Sequence, residues 1–378
     1  MPELTLLTWN IETLGPGKMG KYEEDDWGMP QPYDLAKVPA VQKAAILETI
    51  GQTVDWTGAD IVSVIELAGS LAWAFRELFL EAVQGATGVL WDVVMVDSKK
   101  QDMYFIGYRK DRRIDILCDA NRQPVAGLTE HRADGRRLVF AAAKNGGKGR
   151  VPAYFTFQTL PDPQTGDAGG RLLTVICYHA CKGGNNQGQG VQNVAFVAPV
   201  TQVEVDGAVR QVDVSVVSGD FNTDYLSFPW YYENVTDATA DWTAIPAAAP
   251  ANGNNTRTSL VTFDPAVANP PIANPTPLDF RVNAYDNIFA HNSQFTESAV
   301  LDMVADFVNP PPGARLTPLQ TCAGKFNLID INARIGRSRA RAKIGLVGTF
   351  PPQNPTDAWR IYRRVVSNHL PVWGTFEV

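Results

Sequence analysis

Cysteine is scarce in this sequence, and its spacing argues against two common ways of stabilising a protein. Four cysteines are scattered over 378 residues, which is too few for a disulfide framework in a chain of this size. Cys177 and Cys181 lack the two-residue spacing of zinc knuckles and have no obvious second pair. We therefore expect reduced, partly buried thiols and no tetrahedral zinc site.

Long apolar runs are also missing. No run approaches the roughly 20 residues that a membrane-spanning helix requires. The opening residues, MPELTLLTWNIETL, alternate as a β-strand does and lack the basic and apolar regions of a secretory signal. We expect a cytoplasmic protein without a membrane span, or a secreted one if the sequence is a trimmed mature form.

Positive charge is in the minority. The chain has 33 Lys and Arg against 40 Asp and Glu, for a formal net charge of -7. This balance argues against a protein that coats nucleic acid or anionic membranes nonspecifically. It is compatible with an enzyme that acts on a polyanion through a local basic patch and a metal ion.

Short runs rich in Val, Ile, Phe and Tyr recur along the chain and predict β-strands. The predicted strands are 4–10, 61–65, 91–96, 104–108, 113–117, 138–142, 153–158, 172–178, 212–217, 285–290 and 372–378. Helical periodicity appears at 41–50 and 71–82, and more weakly at 190–200. Many strands with few helices predict a layered α/β protein with two packed sheets and helices outside.

Three segments predict long loops or insertions, at 15–39, 247–277 and 310–343. They are rich in Gly, Pro or Asn, and the third ends in the basic stretch RIGRSRARAK. Loops of this length in a compact domain are usually functional or mobile. We find no internal repeat and no convincing linker, so we expect one domain over residues 1–378.

Polar side chains stand at the ends of many predicted strands. They are Asn10, Glu66, His179, Asp220, Asn222, Asp286, Asn368 and His369. Each alone has a structural explanation, since Asp and Asn cap turns and a single histidine is commonly structural. Together they form the set that phosphodiester hydrolysis uses. Carboxylates hold a hard divalent cation and orient a water, while imidazoles and amides donate to phosphoryl oxygens.

Six motifs, in this order, resemble the endonuclease/exonuclease/phosphatase superfamily, which has the deoxyribonuclease I-like fold. They are LTWNIETL, DIVSVIEL, VICYHA, VSGDFNTDY, AYDNIFA and VSNHLPVW, and they extend from Asn10 to Trp373. The resemblance implies a four-layered α/β sandwich of two mixed β-sheets packed face to face, with the active site where the sheets open at one edge. It also implies a Mg²⁺ cofactor, with Mn²⁺ or Ca²⁺ as alternatives.

The resemblance implies a role for each residue that matches a motif. Glu66 resembles the principal metal ligand, and Asn10 resembles its neighbour in the metal site. Asp220 resembles the residue that orients or activates the attacking water. Asn222 resembles the amide that holds the phosphate and the nucleophile.

Two histidines and their partners also match. His369 resembles the histidine that acts on the phosphoryl oxygen or the water, and Asp286 resembles the carboxylate that keeps it protonated and oriented. His179 resembles the second histidine of the nuclease branches, with Asp102 as its carboxylate partner. Arg150, in GRVPAYFTF, resembles a phosphate-binding arginine, although a solvated arginine after a glycine-rich turn is the alternative.

The final motif departs from the family pattern. The family has Ser-Asp-His, whereas this chain has Asn368 between Ser367 and His369. An asparagine carbonyl accepts hydrogen bonds but brings no negative charge. A tolerated variant, a lapsed enzyme and an introduced inactivating substitution all fit the sequence; we favour active chemistry because every other motif residue is present.

Three features favour DNA as the substrate of an endonuclease. YHACKGGNN resembles the nuclease subunit of cytolethal distending toxins, and the basic stretch suits phosphate contacts, although a solvated loop is the alternative. We also find no long apolar loop for membranes; FPWYY, at 228–232, is compatible with a membrane wedge, base stacking or core cover. The alternatives are a phosphatase or phosphodiesterase for lipid or inositol phosphoesters, and a catalytically impaired phosphate-binding homologue.

Overall fold

The computed structural model contains two mixed β-sheets and several helices. It describes residues 3–14, 40–68, 72–98, 102–140, 150–164, 166–181, 188–236, 241–245, 257–261, 272–310, 316–326 and 355–378. The strands are β1 Glu3–Leu14, β2 Ile61–Ala68, β3 Trp91–Asp97, β4 Asp102–Arg109, β5 Ile114–Ile116, β6 Ala126–Leu128, β7 Ala153–Thr159, β8 Leu172–His179, β9 Gln202–Val205, β10 Ala208–Gln211, β11 Val214–Asp220, β12 Trp242–Ala244, β13 Asp286–His291, β14 Phe295–Val300 and β15 Val372–Glu377. The α-helices are α1 Ala40–Thr57, α2 Ala72–Thr87, α3 Gln189–Val194, α4 Glu233–Thr236, α5 Met303–Val308, α6 Pro318–Phe326 and α7 Pro355–Val365.

Each sheet combines parallel and antiparallel pairs. The first sheet has the order β14-β15-β1-β2-β4-β3, in which only β1 and β2 are parallel. The second has the order β12-β13-β11-β8-β7-β5, with β6 also paired to β7, and only β8 and β11 are parallel. Strands β9 and β10 form a separate hairpin.

The two sheets pack face to face through apolar side chains. Leu6 and Ile106 of the first sheet share a buried cluster with Phe155 and Val175 of the second. Successive side chains of a strand point to opposite faces, so every second residue of each sheet can enter the layer between the sheets. Since both sheets contribute to it, this cluster is the central layer of the core.

Helices cover the outer faces. Phe75 and Phe79 of α2 pack edge to face on Phe105 of β4, at centroid distances of 5.2 and 4.9 Å. On the second sheet, α3 approaches β8 so closely that a Cβ on Gly190 would lie 1.8 Å from the Tyr178 hydroxyl. The layers are therefore helix, sheet, sheet and helix, and the predicted four-layered α/β sandwich is confirmed.

The predicted strand at 138–142 is wrong over 138–140, which belong to no strand. Leu138 and Phe140 are buried and Val139 is exposed, so the alternation is real. It arises because this irregular segment covers the core instead of pairing in a sheet. Residues 141 and 142 lie outside the described residues.

The predicted insertions fall largely outside the description. Segment 15–39 and the basic stretch within 310–343 lie outside it entirely, although α6 lies in the third segment. Part of the second segment, 257–261, bridges to Arg281 and to His369, so it is tied to the last motif. No helix among the described residues is long and apolar enough to cross a membrane.

Candidate active site

Three neighbouring strands of the second sheet place their polar residues in one row. Asp220, the last residue of β11, pairs with His179 at the end of β8 and with Asp286 at the start of β13. Residues in register on adjacent strands point to the same face, so these side chains meet at one edge of the sheet. All three are buried.

The end of β11 depends on a glycine, and a turn follows it. Gly219 has a φ of 146°, and a Cβ there would lie 2.0 Å from the Tyr178 carbonyl oxygen of β8. Asn222 has a φ of 47°, a left-handed conformation that asparagine tolerates. Its backbone N–H donates to Asp220 Oδ1 at 2.8 Å, and its Nδ2 donates to the Ala180 carbonyl at 2.9 Å. The turn thus fixes one oxygen of Asp220.

The first sheet contributes Asn10 and Glu66. Asn10 Nδ2 donates to Asp220 Oδ2 at 2.8 Å, which joins the two sheets at the site. Glu66 lies where the β2–β4 register shifts between Val64 and Leu67, and its φ is 65°. A non-glycine residue in this region costs roughly 1–3 kcal/mol. The irregular backbone turns the Glu66 carboxylate toward His179, at 3.1 Å from Nε2.

His369 is held by a short contact in a buried setting. Its Nδ1 lies 2.7 Å from Asp286 Oδ2, which also accepts from Thr258 Oγ1 at 2.8 Å. Burial lowers the pKa of His369, but the carboxylates of Asp286 and Asp220 outweigh it and raise this pKa to about 9. Burial also raises the pKa of Asp286. Because the pKa of each partner is raised, the pair of Asp286 and His369 retains one proton. We assign that proton to the imidazole because the carboxylates of Asp286 and Asp220 stabilise its positive charge.

His179 has looser and more numerous partners. Its Nδ1 is 3.5 Å from Asp102 Oδ2, longer than an ordinary hydrogen bond, and this nitrogen makes no hydrogen bond among the described residues. Its Nε2 is 2.7 Å from Arg150 Nη1 and 3.1 Å from Glu66 Oε1. Arg150 also binds Asp102 at 3.0 Å, so it bridges the ring and the carboxylate. Asp102 and Arg150 are 25% and 28% exposed, in contrast to the buried partners of His369.

The two contacts to His179 Nε2 demand different protonation states. Arginine only donates, so Nε2 beside Arg150 accepts, whereas Glu66 requires a proton or a cation in between. Burial lowers the pKa of His179, and the Asp102 and Glu66 carboxylates raise it above its ordinary value overall. The 2.7 Å Arg150 contact leaves no space for an Nε2 proton, so this nitrogen accepts from the guanidinium. Glu66 then faces a nitrogen lone pair, an arrangement that a cation between them would stabilise.

The donor set fits a metal ion. Single ligand atoms of Glu66, His179 and Asp220 all lie within 4.8 Å of one another, and so do those of Asp220, Asp286 and His369. Asp220 belongs to both groups, and its Oδ2 is 3.9 Å from Nε2 of each histidine. Crowded carboxylates repel one another and favour a bound cation. The site can therefore hold a metal ion at Asp220.

All ten predicted site residues lie in the described part of the chain. Contacts shown above join Asn10, Glu66, Asp102, Arg150, His179, Asp220, Asn222, Asp286 and His369. Asn368 neighbours His369 in sequence, and its Oδ1 is buried without a hydrogen-bond partner among the described residues. Its backbone carbonyl accepts from Leu260 N at 2.7 Å.

Sequence reasoning missed several supporting residues. Thr258 lies inside the segment predicted as an insertion, and no sequence signal identified it. Tyr362 and Trp9 donate to the His369 carbonyl at 2.6 and 3.2 Å, and Ser367 Oγ donates to the Asn10 carbonyl at 2.7 Å. The Ser367 and Trp9 positions stood beside predicted site residues, so adjacency was the available signal.

Sequence and structure comparisons with known proteins gave different outcomes. No protein-family model matches the chain, and no curated protein matches it significantly in sequence. Several solved structures resemble it. An endonuclease/exonuclease/phosphatase family protein from Bacteroides thetaiotaomicron is 14% identical with a TM-score of 0.49, over 99% of this chain and 95% of that chain.

Two further structures are similar. A mannosyl-6-phosphatase from Bacteroides thetaiotaomicron is 13% identical with a TM-score of 0.45, over 99% of this chain and 100% of that chain. The human Nocturnin catalytic domain is 13% identical with a TM-score of 0.44, over 99% of this chain and 94% of that chain. At these identities the likeness concerns fold alone. The structural neighbours of this chain include proteins of the endonuclease/exonuclease/phosphatase family, the superfamily that its motifs resemble.

Proposed function

We propose that this protein is a Mg²⁺-dependent phosphodiesterase that hydrolyses DNA as an endonuclease, by attack of water on phosphorus. One observation carries the proposal: Asp220 Oδ2 lies 3.9 Å from Nε2 of both His179 and His369. A carboxylate between two imidazoles places a base for water next to the His369 imidazolium, which can donate to a phosphoryl oxygen, and next to His179, whose Nε2 accepts from Arg150.

Residues of the chain supply the base and the charge. Asp220 accepts from Asn10 and from the Asn222 backbone, so its carboxylate is fixed before substrate binds. His369 carries its proton below about pH 9, because Asp286 and Asp220 raise its pKa. Its Nε2–H can therefore donate to a phosphoryl oxygen as negative charge develops there.

Attack by water exchanges one P–O bond for another. The water oxygen forms a bond to phosphorus, and the water proton passes to Asp220. The ester P–O bond breaks, and its electrons leave with the ester oxygen, which takes a proton from an imidazolium of the site. Arg150, 28% exposed beside His179, binds a non-bridging phosphate oxygen.

A divalent cation completes this chemistry. Glu66 would hold Mg²⁺ together with an oxygen of Asp220, with Asn10 beside it, and the ion would neutralise charge on the phosphoryl oxygens. Mn²⁺ suits the same oxygen ligands. Glu66 is 21% exposed, so the ligand edge of the site is open to solvent and to substrate.

Nicking of supercoiled plasmid DNA tests the proposal. We expect nicking with Mg²⁺, none with EDTA, and a loss of at least about 100-fold in the His179→Ala variant. The His131→Ala variant is the control, because His131 lies in the 131–137 loop, where it forms a backbone β-bridge with Arg137, and is not among the predicted site residues. Absence of nicking by the wild-type protein would contradict the proposal.

Two other outcomes identify the alternatives. Metal-dependent phosphate release from inositol phosphates or sphingomyelin without nicking would favour the phosphatase. Nucleic-acid binding without turnover would favour a phosphate-binding homologue, which the missing charge at Asn368 motivates. The basic stretch Arg334, Arg337, Arg339, Arg341 and Lys343 lies outside the described residues, so the preference for DNA stands on the sequence and on the presence of His179.

A further inference from the structure

The segment that begins directly after Asn222 of the candidate active site carries exposed aromatic side chains. Phe228, Trp230 and Tyr231, here called the rim cluster, pack on one another. Phe228 and Trp230 have centroids 5.5 Å apart at 85°, and Trp230 and Tyr231 have centroids 5.9 Å apart. Phe228 is 43% exposed and Trp230 is 49% exposed, so each keeps part of its ring accessible to solvent.

Hydrogen bonds tie the rim cluster to the catalytic strands. The hydroxyl of Tyr232 donates to the Thr223 carbonyl at 2.6 Å, directly after Asn222. Phe228 N donates to the Asp224 carbonyl at 2.9 Å, and Asp224 Oδ1 accepts from Ala284 N at 2.9 Å. Ala284 precedes Asp286 by two residues. The segment is thus fastened both at the end of β11 and at the start of β13.

The rim cluster also reaches the segment that follows β8. A Cβ on Gly188 would lie 1.9 Å from the Tyr231 ring, so only glycine permits this approach. Asn234 Nδ2 donates to the Gln192 carbonyl of α3 at 2.8 Å. Backbone therefore packs against Tyr231, while Phe228 and Trp230 keep exposed ring surface.

The chemistry of the segment selects the ligand. Residues 225–236 contain no Lys or Arg and one acidic residue, Glu233. Surfaces that bind anionic membranes combine apolar side chains with basic ones, which this segment lacks. A nucleobase matches better, because it offers a flat, uncharged face that stacks on an aromatic ring. The phosphate charge would stay at His369 and Arg150.

We propose that the rim cluster is a stacking subsite for a nucleobase of a nucleotide that flanks the scissile phosphodiester. The proposal rests on the proposed phosphodiesterase function. It assigns substrate selection to aromatic residues on the loop that leaves Asp220 and Asn222. A substrate that lacks these bases loses the contact and keeps the phosphate chemistry.

Paired oligonucleotides test this subsite. Both are single-stranded DNA with methylphosphonate linkages at every position except one cleavable phosphodiester. In one, the two flanking nucleotides carry bases; in the other, both are abasic. We expect Trp230→Ala and Phe228→Ala to lower kcat/KM about 10-fold on the first substrate and less than about 2-fold on the second.

Two controls accompany the measurement. Trp230→Tyr keeps an aromatic face and restores most of the rate on the base-bearing substrate. Val209→Ala removes a 60% exposed apolar side chain on β10, before the start of β11, and leaves both rates unchanged. Thermal unfolding of Trp230→Ala near the wild-type temperature excludes a folding defect.

Other results would overturn the subsite. Equal losses on both substrates, or no loss on either, would show that the cluster does not contact bases. Trp230-dependent sedimentation with phosphatidylcholine and phosphatidylserine vesicles, with unchanged kinetics, would assign it to membranes. If the wild-type protein cleaves plasmid but no variant differs, the subsite alone fails; if it cleaves no phosphodiester, the proposed function fails and the subsite with it.

Discussion

The two histidines of the candidate site have similar positions but different surroundings. His369 has one carboxylate at 2.7 Å, and Thr258 fixes that carboxylate in a buried setting. His179 has a carboxylate at 3.5 Å, together with Arg150 and Glu66 on its other nitrogen. The first arrangement fixes a positive charge, whereas the second leaves the ring with competing partners. We infer that His369 serves as the permanent cation and that His179 responds to what binds.

The candidate site has two halves, one around His369 and one around His179. Asp220 lies between them, so its substitution has the largest expected effect. Asp220→Asn keeps an oxygen for the Asn222 N–H but removes the base and the charge between the histidines. We expect kcat/KM on plasmid or oligonucleotide DNA to fall about 10³–10⁴-fold.

Asp213→Asn is the matched control for Asp220→Asn. Asp213 is exposed, lies just before β11 and accepts from Leu172 N at 2.7 Å, at the opposite end of the strand from Asp220. The Asp213→Asn variant should keep kcat/KM within about 2-fold of the wild-type value. Comparable losses in both variants would mean that the effect comes from the strand and not from the site.

Asp286→Asn and Asp102→Asn compare the two halves directly. Asp286 is the largest cause that raises the pKa of His369, so its removal moves this pKa down from about 9. The imidazolium is then lost at a lower pH, and the activity at pH 8 should fall about 100-fold with a smaller loss at pH 6. For Asp102→Asn we expect the activity to fall roughly 10-fold, because Asp102 is more exposed than Asp286 and more distant from its histidine.

The pH–rate profile checks this difference between the halves. In the wild-type protein the activity that depends on protonated His369 is present below about pH 9 and is lost above it. Asp286→Asn should move this alkaline limb to lower pH. An unchanged limb, or a larger loss for Asp102→Asn than for Asp286→Asn, would contradict the distinction between a fixed and a responsive histidine.

The strand-end residues were predictable because the strands that carry them have strong local signals. Strand β11 ends at Asp220, and its parallel partner β8 ends at His179. The two residues pair in register, so the sheet alone brings their side chains together. The motif resemblance supplied the pairing of His369 with Asp286, which no local pattern contains. The four-layered sandwich was predicted for the same two reasons.

The remaining features depend on tertiary packing. Strands β6, β9, β10, β12 and β14 were not predicted, and neither were helices α4, α5, α6 and α7. Four of these strands have only three or four residues, too few for a clear period. Thr258 and the looseness of the Asp102–His179 contact depend on how distant segments meet, so no local sequence signal contains them.

Arg150→Lys tests whether the open half binds phosphate. Arg150 joins His179 and Asp102 through two guanidinium nitrogens, a geometry that lysine does not reproduce. We expect KM for oligonucleotide DNA to rise about 10-fold with a smaller change in kcat. Arg137→Lys is the control, since Arg137 is 70% exposed in the 131–137 loop. A kcat effect without a KM effect would assign Arg150 to positioning His179.

Asn368→Asp has the smallest expected effect on rate, and its main effect is on the affinity for the metal ion. Asn368 Oδ1 is buried without a hydrogen-bond partner in the described part of the chain, beside His369. A carboxylate there adds a charged oxygen, so the Mg²⁺ concentration for half-maximal activity should fall about 2- to 10-fold. A rise in that concentration would show that the added charge is unfavourable at this position.

The central claim is that Glu66 and Asp220 share one divalent cation within reach of His179 and His369. Anomalous diffraction from a Mn²⁺-soaked crystal tests it most directly. The account predicts a single strong peak within about 2.5 Å of oxygens from both carboxylates, absent in Glu66→Gln crystals soaked in the same way. A Mn²⁺ peak bound elsewhere, with none between these carboxylates, would contradict it.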